Sequence, residues 1–134
     1  MKITADMNLL VRALAGDHPT QSRIAQAELG KAELVALTLP TLCELVRVLS
    51  RGYRIPVPEI SEAIRRLINA GNVATDRPAA EAGLALMEAG GDFADGVIAY
   101  SGSFLGAECL VSFDKDAVKL LKARGVAARA PSAA

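Results

Sequence analysis

The sequence predicts an α/β fold in which helices cover both faces of a mostly parallel sheet. Three observations carry the prediction. Short apolar runs of strand length alternate with longer segments of helical period. Glycines and prolines fall between those segments, at Gly16, Gly30, Gly52, Gly71 and Gly125 and at Pro19, Pro40, Pro56 and Pro78. Finally, 51% of the residues are apolar while aromatics make up only 4% and Trp is absent, a composition poor in strand formers and rich in Leu and Ala. The 134 residues suffice for one core and are expected to form a single domain over 1–134, with 127–134 as a flexible tail.

Met1–Ala5 reads as a first strand that delivers Asp6 and Asn8 at its end. Leu9–Leu14 has helical spacing and stops at Ala15–Gly16. The lone histidine, His18, lies beside Pro19 and reads as a solvated turn residue, with Thr20 as the cap of a helix running to about Leu29. Glu33–Thr38 is a short apolar run, hence a second buried strand. Pro40 opens a helix over Leu42–Arg51 that closes at Gly52. Pro56 and Pro58 punctuate the connection to Glu59–Ala70, whose Ile60, Ala63, Ile64, Leu67 and Ile68 share one face. Asn72–Thr75 is a small third strand.

Arg77–Ala89 follows as a helix with Pro78 in its first turn. After Gly90–Gly91, Asp92 opens another helix, which carries Gly96, Gly102 and Gly106. Each of these glycines costs up to about 1 kcal/mol against Ala, so close backbone packing is expected at one or more. Cys109–Phe113 is a strand leading to Asp114, and Lys115–Arg124 is the last helix. The stretch from Val126 has room for an edge strand before the tail.

Several function classes are disfavoured at this level. Fifteen basic and fifteen acidic residues balance, so the chain has no global pull on nucleic acid and any phosphate contact must be local or metal-mediated. Cys43 and Cys109 sit in apolar runs without metal or redox spacing and read as buried thiols. The N-terminal stretch is interrupted by Asp6, Asn8 and Arg12, and reads neither as a signal sequence nor as a membrane span. A cytoplasmic protein is expected.

Acids are the chemistry-bearing residues. Asp6 and Asp114 follow strands, where sites form in parallel sheets. Asp92 and Asp95 are three apart in a first helical turn and project on one side, and Glu44 lies within LPTLCELV. Each has a structural alternative. Asp6, Asp92 and Asp114 can cap helices, Asp95 can close a capping box, Asp116 can sit in a favourable first turn, and Glu44 can pair with Arg47 or Arg51 on a solvated face. If these acids converge, they repel one another and need a cation. Oxygen ligands without His or Cys select Mg²⁺ or Mn²⁺ over zinc, and such an ion is suited to activating water against a phosphate.

In this order and spacing the residues resemble the PIN-domain family, and within it the VapC-type ribonuclease toxins. Asp6-Met7-Asn8 resembles the family's opening strand end, LCELVRVL its second acidic motif at Glu44, DFADGVIA the third with the main acid at Asp95, and VSFDKD the fourth at Asp114. The resemblance implies a PIN-like three-layer α/β/α sandwich and a Mg²⁺- or Mn²⁺-dependent endoribonuclease. Asp6, Glu44, Asp95 and Asp114 would be its catalytic acids and would hold the metal, Glu44 directly or through water. Asn8, Asp92, Ser112 and Asp116 would support them. It further implies a homodimer and a cognate VapB-type antitoxin blocking the site, in a toxin–antitoxin assembly without a membrane. Met7, Ser112 and Gly96 depart from the commoner hydroxyl residue, Thr and Ala, and Gly96 suggests a looser helix.

Arg47, Arg51, Arg54, Lys115 and Lys119 are candidates for guiding RNA past the acids, and the apolar helices Leu42–Leu49 and Ile60–Ile68 for partner surfaces. The rival of a different class is a non-catalytic PIN-like binding module whose acids serve only as caps.

Overall fold

The first strand, β1 (Lys2–Thr4), is the edge of a three-stranded sheet ordered β1-β2-β3, with β2 at Leu34–Ala36 and β3 at Val73–Ala74. All pairings are parallel, Ile3 opposite Val35 and Val35 opposite Val73. The ladder runs beyond the strands proper, through Ala5 N–H to the Ala36 carbonyl and Leu37 N–H to the Ala74 carbonyl. In this computed structural model residues 1–132 are described, and the chain forms two compact units, Met1–Arg77 and Pro78–Ala134.

The first unit holds this sheet with helices α1 (Met7–Ala15), α2 (Pro19–Lys31), α3 (Leu39–Arg47) and α4 (Val57–Asn69). Helix α1 packs on α2 and α3, while α4 packs on β3. The central Val35 is fully buried, as are Leu10, Leu42, Leu45 and Ile64. Parallel strands need crossovers, and the helices supply them. Asn72 secures the entry to β3, its amide donating to the carbonyls of Leu29 (2.8 Å) and Ala32 (3.0 Å).

Three local features differ from the sequence expectation. Helix α2 is capped by His18, not Thr20: the His18 Nδ1 accepts the Gln21 N–H at 3.4 Å, because Pro19 occupies the first helical position. The helix expected to run to Arg51 is α-helical only to Arg47 and then opens into a π-helical turn, Val48–Gly52, closed by Tyr53 N–H on the Val48 carbonyl. Two residues later Arg54 stands in the left-handed region at φ 55°, which costs a non-glycine residue about 1–2 kcal/mol. Finally, the apolar surplus of Leu42–Leu49 and Ile60–Ile68 is core rather than partner surface, since Leu42, Leu45, Val46, Leu49, Ile60, Ile64 and Ile68 are all buried.

The second unit contains α5 (Arg77–Glu88, from Pro78 onward), α6 (Phe93–Phe104), β4 (Leu110–Val111), α7 (Lys115–Ala123) and β5 (Ala128–Arg129). Strands β4 and β5 pair in parallel, Leu110 opposite Ala128, and Leu86, Leu121 and Ala128 form a buried cluster. The short strand β5 is the edge strand for which the sequence left room. The expected flexible tail over 127–134 therefore includes a paired strand, and its residues 133 and 134 lie outside the described residues.

Helices α5 and α6 approach through glycine. A Cβ on Gly96 would stand 2.5 Å from the Ala82 carbonyl oxygen and 2.9 Å from the Gly83 Cα, and one on Gly83 would stand 2.7 Å from the Phe93 ring. Gly96 thus marks a tight backbone contact and not a looser helix.

Candidate active site

Within the first unit, Asp6 follows β1 in extended conformation and caps α1: its Oδ2 accepts the Asn8 N–H at 3.2 Å. Asp6 and Asn8 are therefore held together at the C-terminal end of a parallel strand, both exposed. Asn8 also lines a groove of about 600 Å³ with Leu9, Arg12, Gln21, Ile24 and Ala25. Glu44 is exposed on α3. Among the described residues its carboxylate has no hydrogen bond or ion pair, so the predicted pairing with Arg47 or Arg51 does not form.

Within the second unit, Asp92 caps α6, its Oδ1 accepting the Ala94 N–H at 3.1 Å. Asp95, at the third helical position, would close a capping box by accepting the Asp92 N–H. It does not: among the described residues its carboxylate has no hydrogen-bond or ion-pair partner. Asp114 follows β4 and caps α7, its Oδ1 accepting the Ala117 N–H at 3.0 Å. The Asp114 N–H in turn donates to the Ser112 Oγ at 3.0 Å, which fixes the loop between strand and helix. Asp116 is exposed in the first turn of α7.

Electrostatics single out Asp95. It is half-buried at a helix N-terminus, where the backbone dipole alone would favour its charge. Burial nevertheless pushes its carboxyl above the ordinary carboxylate range, and the negative charges of Asp92 and Asp114 push the same way. Asp92 and Asp114 therefore act on Asp95 through their charge. The three acids do not close into a cage: among the described residues no three of His, Cys, Asp and Glu gather as a metal-ligand group. The donor chemistry still suits Mg²⁺, which keeps several of its waters and is commonly held by one or two carboxylates together with substrate phosphates.

One constellation escaped the sequence reading. The Asp17 carboxylate accepts the Tyr53 hydroxyl at 2.9 Å and pairs with the Arg12 guanidinium at 3.4 Å. Asp17 and Tyr53 lie 36 positions apart, and no local pattern announces the bond. Cys43 and Cys109 form no disulfide and are half-buried, not the fully buried thiols expected from their apolar runs.

The chain thus has a parallel α/β fold with Asp6 and Asp114 just past strand ends and Asp95, on α6, charged at a cost and unpartnered, acids of the kind that suit a divalent ion. The family described as the PIN domain matches residues 3–122, and the chain belongs to it. Its helix-rich α/β arrangement with a three-stranded parallel sheet fits the PIN α/β/α sandwich. The PIN domain is a nuclease fold, generally a ribonuclease, and its nucleases generally use divalent metal ions. No curated protein matches the chain. Among the described residues no helix is long and apolar enough to cross a membrane.

Proposed function

We propose that this PIN domain is a divalent-metal-dependent endoribonuclease and the toxin of a VapC-type toxin–antitoxin pair, acting in the cytoplasm. The observation that carries the nuclease reading is Asp95: a half-buried carboxylate with raised proton affinity, two acidic neighbours and no partner. Asp95 makes no capping hydrogen bond, and although the helix dipole favours its charge, burial and two neighbouring acids act against it. A bound cation would relieve the repulsion.

Asp6, Glu44, Asp95 and Asp114 would hold Mg²⁺ or Mn²⁺, Glu44 directly or through water. When bound, the ion supplies Lewis-acid stabilisation of the scissile phosphate and lowers the pKa of a water. The chain's own residues prepare the acids. Asp92 and Asp114 are oriented by the N–H groups they accept, and Ser112 holds the Asp114 backbone in place. Asn8 and Asp116 lie next to acids and can orient water or substrate by hydrogen bonds. A homodimer and a VapB-type antitoxin that covers the acids complete the proposal. In the second unit Ile98, Phe104, Leu105 and Phe113 are exposed apolar side chains of the kind a partner buries.

The rival reading, a non-catalytic binding module, is favoured by the caps: Asp6, Asp92 and Asp114 each serve a helix whether or not a metal binds. Purified chain incubated with 5′-labelled RNA separates the two. Cleavage that requires Mg²⁺ or Mn²⁺, stops with EDTA and is abolished by Asp95→Asn is the expected result. Equal cleavage by the folded Asp95→Asn variant would overturn the nuclease assignment.

A further inference from the structure

We propose that Arg47, Arg51 and Arg54 form a track for the phosphate backbone of single-stranded RNA, and that the Tyr53–Asp17 hydrogen bond fixes its far end. The identity of the ligand rests on the ribonuclease reading; the track itself rests on the following observations. From Leu45 to Pro58 the chain carries these three arginines and no acid. All three are exposed, and among the described residues none of their guanidinium groups has a hydrogen-bond or ion-pair partner. Elsewhere in this unit Arg12 pairs with Asp17 and Arg66 with Glu62, whereas Arg23 is exposed and unpaired too but has no second arginine in α2. Three guanidinium groups left unpaired in one short stretch make a local positive strip on a chain of zero net charge.

The strip has a direction. Glu44 and Arg47 stand three apart on α3 and share one side of it, so the strip starts beside an acid of the proposed site. Guanidinium groups bind phosphate oxygens in a planar, bidentate fashion, which suits a strand laid along them.

The far end is not a regular helix. The π-helical turn Val48–Gly52 carries Arg51, and Arg54 holds a left-handed backbone. Interruptions of both kinds are concentrated at functional sites. Between those arginines Tyr53 reaches across to Asp17, itself braced by Arg12 at the end of α1. The phenol thus ties an otherwise irregular segment to a helical scaffold. Tyr53 and Asp17 are positioning residues and need touch no RNA.

The test uses the full chain in EDTA, so that binding is read without cleavage, with a short fluorescein-labelled single-stranded RNA and anisotropy over a series of KCl concentrations. Each of Arg47→Ala, Arg51→Ala and Arg54→Ala is expected to weaken binding severalfold and to flatten the slope of log Kd against log salt by about 0.7, the triple variant by about 2. Arg54→Gly, which relieves the left-handed backbone, is expected to melt no lower than the parent and still to bind more weakly. Tyr53→Phe and Asp17→Ala should weaken binding by about threefold to tenfold. Asp17→Asn, whose amide oxygen still accepts from the phenol, should restore it. Unchanged affinity and slope in the folded triple variant overturn the track, as does a parent chain that does not bind RNA. Loss confined to a polyglutamate peptide, with RNA binding kept, assigns the strip to an acidic protein and also overturns it. Cleavage in Mg²⁺ is followed in parallel. Arginine-dependent binding without any cleavage keeps the track and removes the nuclease reading, and cleavage with arginine-independent binding does the reverse.

Discussion

Asp92 and Asp95 stand three residues apart at the head of one helix and have opposite fates. The Asp92 carboxylate accepts the Ala94 N–H, while that of Asp95 is left half-buried and unpartnered under the repulsion of two other acids. Its folded-state pKa lies above the unfolded value, so the native chain binds the proton more tightly. Stability from this group is complete below the ordinary carboxylate range and is lost as pH rises through the raised pKa. Asp95→Asn is therefore expected to raise the melting temperature at pH 7.5, and the gain should vanish as pH falls below the unfolded carboxylate pKa of about 4. Thermal melts at the two extremes check this. A gain that persists in acid would assign the effect to packing instead.

The contact between Gly96 and Ala82 makes a sharper mutational contrast. With backbone carbonyl oxygen 2.5 Å from the position a methyl would take, Gly96→Ala must push α5 and α6 apart. It is expected to cost about 1–3 kcal/mol, the usual range for overpacking. Gly102→Ala meets only the Ala107 Cβ at 3.9 Å, an ordinary contact. There the helix propensity of Ala should prevail and stabilise by up to about 1 kcal/mol. Urea denaturation of both variants tests the pair, and equal effects would contradict the close approach.

Element identity was legible because parallel strands buried on both faces are short apolar runs and their crossover helices carry a 3.6 period; even the two-residue strand at Val73–Ala74 was foreseen. Asp6 and Asp114 could be placed at strand ends for the same reason. What local pattern could not supply was partnership. Whether Asp95 would close its capping box, whether Glu44 would pair with Arg47 and whether Gly96 would meet a neighbouring backbone all depend on tertiary approach. The π turn after Arg47 left no mark in a segment whose apolar period continues through Leu49. The burial of Ile60, Ile64 and Ile68 was misread as spare surface because an apolar stripe looks the same whether a core or a partner covers it.

The double role of Asp114 can be separated by choice of substitution. Its side chain caps α7 through the Ala117 N–H, and an Asn can accept the same bond. Asp114→Asn is thus expected to stay within a few tenths of a kcal/mol of the parent in stability while losing metal-dependent RNA cleavage. Asp114→Ala should lose cleavage and about 1 kcal/mol as well. Cleavage retained by the Asn variant and lost only in the Ala variant would make Asp114 a cap and nothing more.

Asn72 provides a control remote in role from the acids. Its amide donates to two carbonyls, those of Leu29 and Ala32, and is half-buried where the chain enters β3. Removing it in Asn72→Ala leaves both acceptors without that donor, a loss expected to cost about 1–3 kcal/mol. Asn72→Asp should be at least as damaging, because a carboxylate offers lone pairs to carbonyl oxygens that already carry them. Near-neutral effects in denaturant titrations would mean that water replaces the amide at no cost. A large loss of stability with metal-dependent cleavage intact below the melting transition is the expected outcome, and it would set the scale for reading the acid variants as chemistry rather than folding.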